Sequence, residues 1–125
     1  MIVSILLLAI KSERYYTLTE IKLTKNDNGK TVEARVGESV VIELSENPTT
    51  GYVWTLNVKE ETGTASLSNS RYTAPKQSGI GGGGTRMFTV KVQSCGIVTV
   101  DMKLRRQWEP ESTAIDRFNT VIKAQ

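Results

Sequence analysis

The sequence predicts an all-β sandwich of about seven strands. Three observations carry this. Apolar residues recur with period two rather than 3.6 along most of the chain. The runs are short and are separated by turn residues such as Gly, Asn and Asp. No segment shows a helical apolar stripe. With 125 residues, the chain suits one domain with a modest core, since domains hold about 100–200 residues and small ones leave much surface exposed.

In chain order, Glu20–Lys25 and Lys30–Val36 read as weak strands, with Asp27-Asn28-Gly29 between them as a hairpin turn signal. Gly37-Glu38 marks a second turn, and the β-branched Ser39–Leu44 reads as a strand. Tyr52, Trp54, Leu56 and Val58 alternate with Val53, Thr55, Asn57 and Lys59, as in a half-buried strand whose aromatic and apolar face points inward. Ala65–Asn69 is a weak strand. Phe88, Val90 and Val92 alternate with Met87, Thr89, Lys91 and Gln93, and Ser94-Cys95-Gly96 turns the chain. Val98, Val100, Met102 and Leu104 alternate with Thr99, Asp101, Lys103 and Arg105, the cleanest alternation present, and Phe118–Ala124 closes the domain. The Cys-Trp-Cys pattern of antibody domains is absent, so any immunoglobulin likeness is one of architecture.

Composition excludes whole classes of chemistry. The chain has no histidine and one cysteine. Without histidine there is neither a Ser-His-Asp triad nor a Cys-His pair, nor a cysteine–histidine zinc site. Cys95 has no partner for an internal disulfide and no neighbouring base, and it reads as structural. Acid–base work would fall to the 13 Asp and Glu, or to Lys or Tyr. No cofactor or metal is expected, and the balance favours a binding module. The formal net charge is +3. Its densest basic stretch, Lys103, Arg105 and Arg106, is flanked by Asp101 and Glu109, as on a mixed solvated surface rather than a nucleic-acid patch.

Met1–Ile10 is almost wholly apolar, too short to span a bilayer at about 20 residues and suited to the apolar part of a signal peptide. Residues 1–12 are therefore read as a signal peptide or disordered N-terminus, with a first buried strand or a truncated gene start as the alternatives, and residues 13–125 as the domain. A cleaved leader implies the secretory pathway, a lysosome-like vesicle or the exterior; its absence implies the cytoplasm. No stable membrane insertion is expected.

Three connections differ from ordinary turns, and odd loops on a compact scaffold are where function concentrates. In Asn47-Pro48-Thr49-Thr50-Gly51-Tyr52, the asparagine has the chemistry to bond its own backbone two residues on. Pro48 fixes φ, and Gly51 permits a positive φ. The loop from Tyr72 to Thr85 contains Gly79-Ile80-Gly81-Gly82-Gly83-Gly84. This satisfies G-x-G-x-x-G, yet a dinucleotide fingerprint needs a helix after it and here a strand follows. The third loop, Arg106–Ala114, carries Trp108 in a polar setting beside Arg106, the composition of an interface hot spot. The competing reading of Trp108 is a cap folded back over the sandwich.

These loops in this order resemble the chagasin family, protein inhibitors of papain-like cysteine peptidases. Asn47–Tyr52 matches the family's N-P-T-T-G-[YF]; Gly81, Gly82, Gly83 and Gly84 match its G-x-G-G; and Arg106-Gln107-Trp108 matches R-P-W, with Gln107 in place of proline. Arg117-Phe118 is similar to the start of the family's last strand. The resemblance implies an immunoglobulin-like β-sandwich with the three loops clustered at one end. They would form a wedge that enters the peptidase cleft reversibly and without a covalent bond, the first loop next to the catalytic cysteine. It implies that Asn47, Pro48, Thr49, Thr50, Gly51, Tyr52, Gly81–Gly84, Arg106 and Trp108 bind the peptidase, and that the inhibitor is a monomer when free. Loss of the proline implies a less rigid third loop. The runner-up function is an immunoglobulin-like adhesion or receptor-binding module; an enzyme is the least favoured.

Overall fold

The computed structural model describes residues 17–75 and 83–125. The proposed leader and two of the predicted binding glycines, Gly81 and Gly82, lie outside the described residues.

The chain forms eight strands: β1 (Glu20–Leu23), β2 (Thr31–Ala34), β3 (Ser39–Glu46), β4 (Val53–Glu60), β5 (Ala65–Thr73), β6 (Gly84–Val92), β7 (Gly96–Arg105) and β8 (Asp116–Ala124). They make two four-stranded sheets, ordered β1-β3-β6-β5 and β2-β8-β7-β4. This is the expected immunoglobulin-like sandwich, with eight strands rather than about seven. The inward residues of β3 (Val40, Ile42, Leu44), β6 (Phe88, Val90, Val92) and β7 (Val98, Val100, Met102) are buried in one cluster, as their alternation requires. Phe118 and Ile122 of β8 join them. Thr120, on the same inward row, is buried too; its hydroxyl donates to the Lys30 carbonyl at 2.8 Å, so no polar atom is stranded there.

The reading of Asp27-Asn28-Gly29 as a hairpin is overturned. β1 pairs in parallel with β3, and β2 pairs in parallel with β8, so the segment carries the chain from one sheet to the other. Lys25–Asp27 forms a single 3-10 turn, in which Asp27 accepts the Thr24 N–H at 2.9 Å, and Gly29 takes φ +83°. The local turn chemistry is as read. What decides the pairing is that each short strand must place its apolar side, Ile21 and Leu23 or Val32 and Ala34, against the shared core. The glycine loop is also shorter than expected, because β5 continues through Thr73 and β6 begins at Gly84.

Register sets the position of the three unusual loops. Glu46 at the end of β3 pairs with Gly84 at the start of β6, and Thr73 at the end of β5 pairs with Thr85. In the other sheet Val53 pairs with Arg105, and Leu104 with Asp116. The segments 47–52 and 106–115, and the strand ends Thr73 and Gly84 that flank the glycine loop, therefore lie at one end of the sandwich. Segment 47–52 passes between the sheets, the glycine loop joins β5 to β6, and segment 106–115 closes the β7–β8 hairpin.

Candidate functional site

The first loop is pre-shaped by its own bonds. Asn47 Oδ1 accepts the Thr49 N–H at 3.2 Å and the Thr49 hydroxyl at 2.7 Å. The Thr50 hydroxyl donates to the Asn47 carbonyl at 2.7 Å. Pro48–Thr50 makes one 3-10 turn, ended by Gly51 in the left-handed region at φ +82°. The expected roles of Asn47, Pro48 and Gly51 hold, and the two threonine hydroxyls are engaged inside the loop while their side chains stay exposed. Below the loop, Trp54 anchors the crossing: its indole N–H donates to the Ser45 carbonyl at 2.9 Å.

The third loop grips the first. Arg106 Nε donates to the Thr50 carbonyl at 3.2 Å, and its guanidinium carbon lies 4.4 Å from the centre of the Tyr52 ring, a cation–π distance. Trp108 is 74% exposed, so it does not cap the core. Its ring lies against Gly51, where a β-carbon would come within 2.7 Å of Cη2. The other limb of the loop is held by Lys103, whose ammonium meets Glu111 at 2.8 Å. That bond, with the nearby positive charges of Lys103 and Arg105, lowers the Glu111 carboxyl below its ordinary value.

Of the glycine run, Gly83 and Gly84 are described. Gly83 packs its backbone beside the first loop: a β-carbon there would lie 3.1 Å from the Glu46 carbonyl and 3.4 Å from Asn47 Cβ. Gly84 has even less room, with the Tyr72 hydroxyl 2.6 Å from its would-be β-carbon. Asn47, Thr50, Gly83, Gly84, Arg106 and Ile115 line one shallow hollow, so the three loops meet. Two participants carried no motif. Ile115 is a large apolar residue 60% exposed beside the hollow, and Glu46 is a buried carboxylate beneath it. The burial of Glu46 follows from strand parity, since it continues the inward row Val40, Ile42, Leu44.

The described residues hold no cluster of acids and cysteines able to bind a metal, and no helix long and apolar enough to cross a membrane. A braced loop surface of small side chains, one exposed tryptophan and one cation suits a protein that acts by docking. Residues 33–122 match the family model described as chagasin family peptidase inhibitor I42, and the chain belongs to that family. It is an inhibitor, not an enzyme. It is 36% identical to chagasin of Trypanosoma cruzi over 106 residues, covering 82% of this chain and 96% of that one. It is 33% identical to amoebiasin-2 of Entamoeba histolytica over 89 residues, covering 70% and 71% of the two chains. The fold is similar to the crystal structure of the Entamoeba histolytica cysteine protease inhibitor EhICP2, with TM-score 0.79, 21% identity, and coverage of 89% of this chain and 100% of that one.

Proposed function

We propose that this inhibitor acts on papain-like cysteine peptidases, as a reversible wedge built from Asn47–Tyr52, Gly81–Gly84, Arg106 and Trp108. The observation that carries the reading is the bracing of the first loop by the third, through Arg106 to the Thr50 carbonyl and Trp108 to Gly51. A loop ordered before binding loses little freedom on docking, which favours affinity. A narrow cleft admits backbone and small side chains, and the exposed tip Pro48-Thr49-Thr50 offers these. Trp108 supplies the large apolar contact and Arg106 the charge.

The mechanism is occlusion. The threonine hydroxyls at the tip are nucleophiles, as the peptidase thiolate is, and are engaged inside the loop, so they offer the thiolate no electrophile to attack and affinity comes from shape and hydrogen bonds. Titration against papain is expected to give stoichiometric loss of activity. Papain with its catalytic cysteine replaced by alanine is expected to bind equally in calorimetry, while a bulky alkyl group on that cysteine hinders docking. Binding that vanishes when the thiol is removed without added bulk refutes the wedge. An adhesion module would leave papain untouched.

A further inference from the structure

We propose that the Glu46–Arg86 ion pair, its carboxylate fully buried and its guanidinium partly so, is the positioning device that fixes Gly83 and Gly84, the stem of the glycine loop, against the first loop and so sets the spacing of the wedge there, an inference that rests on the function proposed above. Glu46 immediately precedes Asn47 and its side chain is fully buried. One carboxylate oxygen accepts the backbone N–H of Trp54 at 2.8 Å, tying together the two ends of the first loop. The other accepts Arg86 Nε at 3.0 Å and Nη2 at 2.7 Å. Arg86 lies two residues beyond Gly84 on β6, paired with Leu44 on one side and Tyr72 on the other. Its guanidinium carbon is 5.5 Å from the centre of the Tyr72 ring, and the Tyr72 hydroxyl fills the space beside Gly84. The chain Glu46–Arg86–Tyr72 thus joins the first loop to both stems of the glycine loop. Directly above it, Gly83 packs on the Glu46 carbonyl and Asn47 Cβ.

Stability alone does not call for ions here. Inward positions deeper in these strands are apolar, and a buried ion pair is commonly matched in stability by apolar residues of similar size. An ion pair with a guanidinium fork supplies direction instead. Two bonds to one oxygen, with the other oxygen fixed by Trp54, define the approach of β6 to the first loop in a way that apolar packing does not.

The test replaces both partners. In Glu46→Gln/Arg86→Met, glutamine keeps an acceptor for Trp54, methionine keeps contact with Tyr72, and no unpaired charge remains. The expected result is a melting temperature near the parent's, an inhibition constant for papain raised tenfold or more, and shifted amide resonances at Gly83 and Asn47. In the Gly83→Val background the same double change is expected to add less than threefold, because both act on the same spacing. An unchanged inhibition constant, or full additivity with Gly83→Val, overturns the proposal and leaves the pair as a structural brace. Should the double variant not fold, Arg86→Lys serves. It keeps the charge but not the fork, and it is expected to raise the constant threefold or more with the same resonance shifts; parental values for both overturn the proposal. If the parent itself does not inhibit papain, the proposed function falls, while the Gly83 and Asn47 resonances still decide whether the pair positions the loops.

Discussion

Trp108 and Gly51 are mutually dependent: the indole occupies the space that a side chain at position 51 would need, with Cη2 only 2.7 Å from an ideal β-carbon there. The first loop therefore needs glycine twice, once for the left-handed φ of +82° and once to seat the ring of the third loop. The bracing that a proline at position 107 would give by restricting the backbone comes here from side chains, Trp108 on Gly51 and Arg106 on Thr50 and Tyr52.

Gly51→Ala is expected to lower stability by about 1–2 kcal/mol through the left-handed φ alone, read from chemical denaturation. It should also push the tryptophan ring aside and weaken papain inhibition. In Gly51→Ala/Trp108→Ala the stability loss should persist, while inhibition should be no weaker than for Trp108→Ala. Additive losses in inhibition would show that the contact does not link the two loops.

Trp108→Ala is expected to weaken inhibition by about 2 kcal/mol, as for a typical hot-spot truncation, or about 30-fold. The ring is 74% exposed, so the melting temperature should hardly move. A large fall in melting temperature with unchanged inhibition would reverse the assignment.

Thr50→Arg tests which loop enters the cleft. The Thr50 side chain is exposed at the tip and its hydroxyl bonds only within the loop. The fold should tolerate arginine, and inhibition should weaken tenfold or more because a cleft matched to small residues is overfilled. Parental inhibition by this variant would remove the first loop from the cleft.

Glu38 makes stability depend on acidity. Its carboxylate accepts the Arg35 N–H at 2.8 Å and the Thr19 N–H at 3.1 Å, and these bonds, in that order, lower its pKa below the ordinary 4.5. A depressed carboxylate stabilises the fold fully above 4.5, and the contribution disappears as pH falls through the folded-state value. Asp27 and Glu111 are lowered as well and act in the same direction. The parent should therefore lose melting temperature on acidification below 4.5, and Glu38→Gln should start lower and fall less steeply. Parallel curves for the two proteins would refute the role of Glu38.

Much of this molecule is determined locally. Alternation in Val98–Arg105 and Phe88–Val92 states which side of each strand is buried, because side chains point to opposite faces in turn. The bent first loop is likewise written in Asn47, Pro48 and Gly51, whose conformational preferences need no distant partner. Pairing is different. Asp27-Asn28-Gly29 has hairpin chemistry, yet β1 and β2 enter opposite sheets, since pairing depends on where each short apolar face finds the core. The exposure of Trp108 was equally open from its neighbours; contact with Gly51, more than fifty positions away in the chain, decides it. Glu46 and Arg86 stand forty residues apart, and no local pattern links them. Only the register of β3 against β6, which turns both side chains inward at the loop end, makes them a pair with the carboxylate fully buried.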